Sequence, residues 1–359
     1  MENKHHTTQL RRYRRLSLAA LAILCGLMAL CALTNWIVDP YAIYGSPRIK
    51  GVNAIKNHCH KNARLMKAVH VYDRKPEIVI LGTSRSEYGL SPEDRSLHKR
   101  SDETAYNFSL SGANMYEVWR CFSHAVAVGP PRHVFIGLDL FSFNIYSTHG
   151  LVEIDDKLAV DRHGRRSGWW KYVALKYSGL LSLDMAKTSY STVTTQNSKV
   201  QFILEDGQRA DADIEHEIRA GGGNRAAFEQ NVRTYHGFGY LPRPHRSFAF
   251  RFDENVGRSL GYAENDGVSS TFDYFRRIVR GAYEKDIMLH LFLSPSHAWQ
   301  WEIVAAAGLW DHFEEWKREL VQIVHEEALR AGREPFILWD FADYAGPTVE
   351  EVPPLGTTE

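Results

Sequence analysis

A serine follows directly after a predicted buried strand in this sequence. Four apolar residues, Ile78 to Leu81, run into Gly82-Thr83-Ser84 within the stretch PEIVILGTSRSEYGLSP. A strand fixes the backbone ahead of such a serine, and the turn exposes its hydroxyl, so that backbone N–H groups can face a developing oxyanion. Ser84 is therefore a candidate nucleophile for acyl transfer. The other interpretation is that Ser84 or Ser86 caps a following helix, as serine commonly does.

A histidine with the chemistry of a general base follows a later apolar run. His297 stands in SPSH, directly after DIMLHLFL. A neutral imidazole can take the serine proton and return it to the leaving group. Three residues before it stands Ser294, whose hydroxyl can orient an imidazole but cannot stabilise an imidazolium as a carboxylate does. Asp340, at the end of a further apolar run, or Asp139 could supply that charge, and a structural role for His297 is the alternative.

The arginine beside the candidate nucleophile has two interpretations. Arg85 could bind an anionic sugar carboxylate or an acyl donor. It could instead form an ion pair with Glu87, Glu117 or Asp139 that braces the turn. Glu117 and Arg120, on the first turns of a predicted helix, are expected to belong to such a brace.

Other side chains that often mark chemistry have weak signals here. Cys59 and Cys121 could pair in an oxidising compartment or remain structural thiols. HCHK, over residues 58–61, fits no zinc pattern, and we interpret it as a surface turn. Two tryptophan groups could stack on sugar rings, although packing against a sheet explains them equally well. These are Trp169, Trp170, Trp299 and Trp301.

The candidate residues follow a repeated pattern of an apolar run, a polar turn and a helix. It begins with EIVILGTS and recurs in AYNFSLSGANMYEVWRCFSHAVAVG, where we predict a strand over 105–108 and a helix over 113–128. It recurs in RHVFIGLDLFSFN and DIMLHLFLSPSHAWQWEIVAAAG, and PFILWDFADY follows a long helical pattern that ends at Gly332. Such alternation indicates a parallel sheet covered on both faces. The sequence therefore predicts a doubly wound α/β domain with functional groups at the carboxyl ends of its strands.

The pattern also divides the chain into segments. Residues 76–359 are predicted to form the α/β domain, and about 145–268 do not follow its repeat. Because that stretch holds a basic turn, DRHGRRSGWWK, and a Gly-rich joint, AGGGNR, we interpret it as an inserted lid. Residues 39–75 are predicted to be a membrane-proximal segment.

The N-terminal residues predict a membrane anchor. Residues 16–38 carry no charge and, at about 1.5 Å rise per residue, are long enough for a ~30 Å hydrocarbon layer. The basic cluster RRYRR should hold residues 1–15 in the cytoplasm, and Trp36, Tyr41 and Tyr44 fall where aromatic rings favour the interface. A cleaved signal peptide is the alternative, but the apolar run exceeds its usual ~7–15 residues and ALCALTNW is a weak cleavage site.

The overall charge argues against a nucleic-acid partner. Lys plus Arg equals Asp plus Glu, at 43 each, in a chain of 359 residues. Nucleic-acid phosphates usually call for a basic face. We therefore expect no DNA or RNA partner.

The motifs, taken in order, resemble the SGNH hydrolase superfamily. They are GTSRS after the first apolar run, NFSLSG after the second, GLDLFSFN after the third, and SPSHAWQ later. The sequence is similar to the membrane-anchored bacterial branch, relatives of the proteins that O-acetylate alginate and other exopolysaccharides. The resemblance covers most of the chain after residue 50 and implies a flavodoxin-like, SGNH-type parallel sheet.

The resemblance implies roles for particular residues. By position, Ser84 would be the nucleophile, and Gly112 with the backbone N–H of Ser84 or Thr83 would form part of the oxyanion hole. Superfamily members usually complete that hole with an asparagine in a Gly-x-Asn-Asp motif after the third strand, where this sequence has GLDLFSFN. Three asparagines are considered as substitutes: Asn107, Asn114 and Asn144.

The general base departs from the family pattern. The usual Asp-x-x-His is replaced by SPSH, with a serine at the acidic position. Proteins of this type usually continue past a WDF segment into another acidic-x-x-His motif, whereas this sequence ends in EEVPPLGTTE. Either His297 is the base, or the base lies in that missing motif, in which case this chain is truncated or impaired and His297 binds substrate.

Two functions follow from the resemblance. The first is a membrane-anchored SGNH-type serine acyltransferase or esterase that acts on O-acyl groups, chiefly acetyl, of an exported or cell-surface polysaccharide. It would need no metal or organic cofactor, and its partners would be the polysaccharide or acylated carbohydrate substrate, the inner membrane and an acyl-donor membrane protein. The second is a catalytically impaired SGNH-fold binding or scaffold protein of an exopolysaccharide secretion or modification complex. Both place a single-pass protein in the bacterial inner membrane with its C-terminal domain in the periplasm.

Overall fold

The structure, a computed structural model, describes residues 2–147, 154–161, 164–197, 202–210, 215, 218, 220–231, 248–252 and 267–351. The chain forms two units, one of Met1–Asn62 with Val173–Val200 and the other of Ala63–Tyr172 with Gln201–Glu359. The predicted insertion at about 145–268 lies partly outside the described residues. Its part from residue 173 to 197 belongs to the first unit and not to the α/β unit.

The larger unit contains a five-stranded sheet in which every strand is parallel to its neighbours. The strands are β1 Ile78–Leu81, β2 Ala105–Asn107, β3 His133–Leu138, β4 Met288–Leu293 and β5 Leu338–Asp340. Their order is β2-β1-β3-β4-β5, which is the order of flavodoxin-like sheets and reverses between β1 and β3. The predicted parallel α/β sheet is thus confirmed, and the strand predicted over 105–108 ends one residue earlier.

The helix after β2, the helix after β4 and the long helix that ends at Gly332 occur close to where the sequence pattern predicts them. In chain order the helices are α1 Glu2–Val38, α2 Ala63–Arg74, α3 Ser84–Gly89, α4 Met115–Val128, α5 Trp169–Tyr177, α6 Leu183–Thr194, α7 Asn224–Asn231, α8 Phe272–Glu284, α9 Ala298–Ala306 and α10 Trp310–Ala331. Short 3₁₀ turns cover Cys59–Asn62, Arg95–Leu97, Leu140–Phe143, Ser178–Leu181 and Gly346–Val349. α4 starts at Met115 and not at residue 113, because Asn114 caps it by accepting from the N–H of Glu117. α10 ends at Gly332, whose φ of 62° is the left-handed conformation that favours glycine.

One face of the sheet is packed and the other is partly open at β4 and β5. Along β4, Leu289, Leu291 and Leu293 are buried, whereas His290 and Phe292 between them are half-buried and Met288 is exposed. Side chains alternate between the two faces of a strand. On the open side, Trp339 is 58% exposed, and a groove of about 680 Å³ has Phe135, His290 and Phe292 in its wall. Complete cover of both faces, as predicted, is therefore not found among the described residues.

The smaller unit is built on the C-terminal end of α1. A segment of this helix, Arg11–Val38, is long and apolar enough to cross a membrane. Near its end, Asn35 is fully buried, donates to the carbonyl of Leu180 at 2.9 Å and accepts from the hydroxyl of Ser189 at 2.9 Å. The 3₁₀ turn Ser178–Leu181 and α6 therefore pack beside the last turns of α1.

A buried histidine is expected to make the larger unit sensitive to acid. His124 donates from Nε2 to the carbonyl of Ala68 at 2.9 Å, and its Nδ1 accepts from the N–H of Ala159 at 3.1 Å. Burial lowers its pKa to about 4. Because this pKa lies below the ~6.5 of the unfolded chain, the unfolded state binds more protons between these values. His124 should therefore contribute a fall in the free energy of unfolding of about 1.4 kcal/mol per pH unit as pH decreases from 6.5 towards 4.

Urea unfolding of the detergent-solubilised chain across this pH range measures the slope. His124→Gln should reduce it by about the contribution of one proton, ~1.4 kcal/mol per pH unit. His325→Gln, at an exposed position on α10, should leave it unchanged. An equal slope in the wild type and His124→Gln would contradict the assignment.

Candidate active site

Ser84 is the first residue of α3, at the carboxyl end of β1. The helix is capped by Thr83, which has extended backbone and whose hydroxyl accepts from the N–H of Arg85 at 3.4 Å. The capping role considered for Ser84 or Ser86 is therefore filled by Thr83. Ser84 is half-buried, and its hydroxyl has no hydrogen-bond partner within the part of the chain that the structure describes.

Two glycines allow the turn before Ser84 to pack closely against β3. Gly82 has a φ of 144°, and a Cβ at this position would lie 2.9 Å from the carbonyl oxygen of Gly137 in β3. The same Cβ would lie 2.5 Å from the hydroxyl of Ser86, which is buried beside both glycines. A larger residue at Gly82 would push β1 and β3 apart at the point where Ser84 emerges.

Asp139 joins the ends of β1 and β3. It directly follows β3 and accepts from the Thr83 hydroxyl at 2.5 Å, while its other carboxylate oxygen pairs with the Arg85 guanidinium. Arg85 also donates to the side-chain oxygen of Gln300 in α9 at 2.6 Å and lies 4.8 Å from the ring centre of Phe141. Of the two roles considered for Arg85, the geometry matches the bracing ion pair with Asp139.

A buried ion pair that was not predicted from the sequence lies beneath the turn. The ammonium of Lys67 in α2 lies 2.8 Å from the carboxylate of Glu87 in α3 and donates to the carbonyl of Ser109 at 2.7 Å. The hydroxyl of Ser111 donates to the other Glu87 oxygen at 2.5 Å. Burial lowers the pKa of Lys67. One signal was available, since Lys67 stands between the apolar residues Met66 and Ala68 in a part of α2 that is buried.

The residues predicted for the oxyanion hole lie mainly after β2. Gly112 is in an exposed turn with a φ of 72°, which favours glycine. Asn107 is fully buried, and its amide nitrogen donates to the carbonyls of Ser86 at 2.8 Å and Leu90 at 2.9 Å. Its side chain thus stabilises the backbone around α3 and is not turned towards an open site.

The other two asparagines are also engaged by backbone groups. The Asn114 side chain caps α4, and its amide nitrogen donates to the carbonyl of Ser147 at 2.7 Å. The Asn144 side-chain oxygen accepts from the backbone N–H of Tyr146 at 3.3 Å and of Ala249 at 3.2 Å. Neither is brought into hydrogen-bond contact with Ser84 in the described residues.

Glu117 and Arg120, which were expected to brace this turn, form separate ion pairs elsewhere in the larger unit. Glu117 pairs with Arg64 of α2 at 2.8 Å. Arg120 pairs with Asp155 at 2.8 Å. Arg85 therefore has Asp139 and not Glu117 as its acidic partner.

His297 has both ring nitrogens engaged. Nδ1 accepts from the backbone N–H of Trp299 at 3.2 Å, so Nε2 carries the hydrogen that is donated to the carbonyl of Glu350 at 2.9 Å. The ring also meets Phe228 edge-on, with 4.9 Å between ring centres. His297 follows β4, which is two strands from β1, so about 10 Å of sheet separates the two strand ends.

Asp340 is engaged with α10 and not with His297. Its carboxylate pairs with Lys317 at 2.8 Å and accepts from the N–H of Ala342 at 2.9 Å. Because β5 is three strands from β1, about 14 Å of sheet lies between Asp340 and the end of β1. Within the described residues, no hydrogen bond joins Ser84, His297 and Asp340 into a triad.

Several buried polar atoms after β4 have no partner within the described residues. They include the hydroxyl oxygens of Ser294 and Ser296 and the side-chain nitrogen of Gln300. Buried polar atoms are nearly always hydrogen-bonded, so these groups are available to water or a polar ligand. Through Gln300, they adjoin the Arg85–Asp139 ion pair.

The remaining candidate side chains divide between surface and core. Trp169 and Trp170 are 58% and 74% exposed, Trp299 is 41% exposed and contacts the His297 ring, and Trp301 belongs to the core. Cys59 and Cys121 are both buried thiols and are not joined in a disulfide. His58, in the HCHK stretch, contacts the hydroxyl of Ser191 at 2.9 Å. Among the described residues, no three His, Cys, Asp or Glu side chains converge on a metal site.

Comparison of the chain with protein-family models, curated proteins and solved structures finds no match.

Proposed function

We propose that this chain is a membrane-anchored serine esterase or acyltransferase with Ser84 as its nucleophile. Its substrate would be an O-acyl group, chiefly acetyl, on an exported or cell-surface polysaccharide. The supporting observation is the position of Ser84: half-buried, with an unengaged hydroxyl, at the end of β1 where the strand order reverses. In doubly wound sheets, ligands bind in the crevice at this point. With α1 in the inner membrane, the larger unit would lie in the periplasm.

The reaction would have two halves. The Ser84 oxygen would attack the carbonyl carbon of the acyl group, the bond to the donor oxygen would break, and the donor would leave as an alcohol with the serine proton. A sugar hydroxyl or water would then attack the acyl-serine ester, and Ser84 would recover its proton. The oxyanion formed in each half would be stabilised by backbone N–H groups around Ser84 and Gly112.

A general base must hold the proton between these steps. We propose His297 for this role. To reach Ser84, the loop after β4 would have to move and break the hydrogen bond from His297 to the Glu350 carbonyl. Asp139, on the adjacent strand β3, is nearer to Ser84 in the sheet than Asp340 is. The Thr83–Asp139–Arg85 contacts would keep the serine turn in place during that movement.

A binding or scaffold protein is the second candidate. The observation in its favour is that His297 and Asp340 both have partners other than the proposed site. The unpartnered groups of Ser294, Ser296 and Gln300 would then bind polar groups of a polysaccharide without chemistry.

Ser84→Ala is expected to abolish the proposed activity. Hydrolysis of p-nitrophenyl acetate by the detergent-solubilised chain should fall by about 10³-fold or more, since Ser84 would carry the acyl intermediate. A fluorophosphonate should label the wild type, as the Ser84 oxygen displaces fluoride from phosphorus, and should not label Ser84→Ala. Both assays report on Ser84 itself, and neither requires the natural substrate.

Ser96→Ala is the matched control, because Ser96 is exposed in the turn Arg95–Leu97 of the same connection. It should be labelled and should hydrolyse the ester at the wild-type rate. If the wild type and Ser84→Ala are equally inert and neither is labelled, the acyl-transfer proposal fails and the binding role is favoured.

A further inference from the structure

The smaller unit places the 3₁₀ turn Ser178–Leu181 beside the apolar part of α1. Asn35, which donates to the carbonyl of Leu180, lies three residues before the last residue of the helix, Val38. At about 1.5 Å rise per residue, this contact lies ~4.5 Å inside the helix end. Cys31, one turn earlier, also approaches the Leu180 carbonyl, at 4.0 Å. The turn therefore lies alongside the apolar run and not beyond it.

The same turn exposes leucines and carries no charge. We call residues 178–183, SGLLSL, the leucine tip. Leu181 is 51% and Leu183 is 76% exposed. Exposed apolar groups clustered beside a potential membrane helix are typical of a surface that contacts lipid.

The backbone of the leucine tip is suited to an apolar surrounding. The N–H of Ser182 donates to the carbonyl of Gly179 at 2.9 Å, and the hydroxyl of Ser182 accepts from the N–H of Met185 at 3.4 Å. The carbonyl of Leu180 is satisfied by Asn35. Backbone that enters lipid must have its polar groups paired within the protein, and these contacts pair the N–H of Ser182 and the carbonyls of Gly179 and Leu180.

The residues around the leucine tip have the composition of a membrane–water interface. Tyr177 is 43% exposed and stacks on Tyr44 with 5.8 Å between ring centres, and Trp36 on α1 is 41% exposed. Lys176 precedes the tip and Lys187 follows it. Aromatic rings with a polar end favour the headgroup level, and lysines extend towards anionic headgroups.

We propose that the leucine tip is a second membrane contact, inserted into the lipid interface on the side where α1 ends. The proposal rests on α1 crossing the membrane and is independent of the acyl-transfer function. Its ligand is the lipid surface itself, with anionic headgroups near Lys176 and Lys187. The contact would hold residues 173–197 against the bilayer in addition to the single anchor.

Photo-cross-linking to lipid tests this proposal in the full chain. A benzophenone amino acid would replace Leu181 or Leu183 in protein reconstituted into vesicles of phosphatidylethanolamine and phosphatidylglycerol. Irradiation should give lipid adducts at both positions, as it should at Leu27 within α1, which is 60% exposed. Leu329 on α10 is the matched control, because it is a 69% exposed leucine of the larger unit, and should give none.

Several outcomes of the cross-linking experiment would contradict a membrane contact of the leucine tip. Adducts at Leu27 but none at Leu181 and Leu183, or equal yields at Leu181 and Leu329, would overturn the proposal. Cross-links from Leu181 to a second protein chain in place of lipid would also overturn it, and so would an absence of adducts at Leu27, since α1 would then not be in the bilayer.

A variant in α1 tests the docked geometry separately. Asn35→Leu keeps the helix apolar but removes both hydrogen bonds to the smaller unit, so the lipid-adduct yield at Leu181 should fall several-fold while that at Leu27 is maintained. Thr34→Val, at an exposed neighbouring position, should leave both yields unchanged. An unchanged Leu181 yield in Asn35→Leu would contradict the geometry proposed for the tip.

Discussion

Glu87→Gln should lower the free energy of unfolding of the larger unit by about 3–5 kcal/mol. The Lys67 and Glu87 side chains are only 0% and 2% exposed, and their charged atoms are 2.8 Å apart. Removing one member of such a pair leaves the other charge buried without compensation. The Ser109 carbonyl, which also accepts from Lys67, carries no charge to replace that of Glu87. Urea unfolding of the detergent-solubilised chain, followed by tryptophan fluorescence, measures the loss.

The loss should shrink as pH rises. Burial lowers the pKa of Lys67, and Glu87→Gln removes the negative charge that opposes this effect. The folded variant would then hold Lys67 as a neutral amine, while the unfolded chain keeps it protonated up to about pH 10.4. Because the unfolded state binds more protons, the unfolding free energy of the variant should increase with pH below that value. A pH-independent loss would contradict this explanation.

Two further variants separate charge from packing. Glu93→Gln, at an exposed position of the same connection, should change the unfolding free energy by less than about 0.5 kcal/mol. The double variant Lys67→Met with Glu87→Leu should recover most of the loss, because replacing a whole buried pair with apolar residues is often neutral. If it is as unstable as Glu87→Gln, the uncompensated charge is not the cause.

Gly82→Ala should destabilise the same turn for a steric reason. The added methyl group would lie 2.9 Å from the backbone oxygen of Gly137, which has little room to move within β3, and the φ of 144° is unfavourable for alanine. Overpacking costs about 1–3 kcal/mol and backbone strain adds about 1–3 kcal/mol. Because Ser84 follows two residues later, fluorophosphonate labelling of any folded Gly82→Ala protein should also fall.

Gly89→Ala is the matched control at the other end of α3. A Cβ at Gly89 would have no heavy atom within 4 Å, and its backbone is not in the left-handed region. Its unfolding free energy should therefore stay within about 0.5 kcal/mol of the wild type. Equal destabilisation by the two substitutions would argue against the close contact between β1 and β3.

The sheet was predictable because its strands are short apolar runs followed by turns and helices. That pattern located β1 over Ile78–Leu81 and placed Ser84 and Asp139 at the carboxyl ends of two strands, which the structure shows to be neighbours. The ion pair of Arg85 with Asp139 was one of the alternatives, since the ends of parallel strands meet at one edge. Choosing among the acidic residues required the strand order, which a single sequence does not encode locally.

Lys67 and the open face of the sheet escaped prediction for different reasons. The predicted domain began at residue 76, so α2 lay outside it, whereas Ala63 onwards belongs to the larger unit. The apolar runs of β4 and β5 indicated burial on both faces, because composition records apolar character and not which element covers it. Trp339, exposed on β5, shows the limit of that inference.

Contacts within the smaller unit could not be predicted because they use backbone carbonyls. Asn35 donates to the carbonyl of Leu180, which is 145 residues away. Every residue has a backbone carbonyl, so the sequence does not mark Leu180 as the partner. The sequence of α6, Leu183–Thr194, gives no information about which helix it packs against. The pairing depends on the tertiary fold alone.

The docking of α6 on α1 has a consequence for synthesis. Ser189, which donates to Asn35, is 154 residues further along the chain. At roughly 5–20 residues per second, it leaves the ribosome about 8–30 s after Asn35 does. If α1 has already entered the bilayer, the Asn35 side chain lacks its partners for that time. The smaller unit can therefore fold only after the first strands of the larger unit have been synthesised.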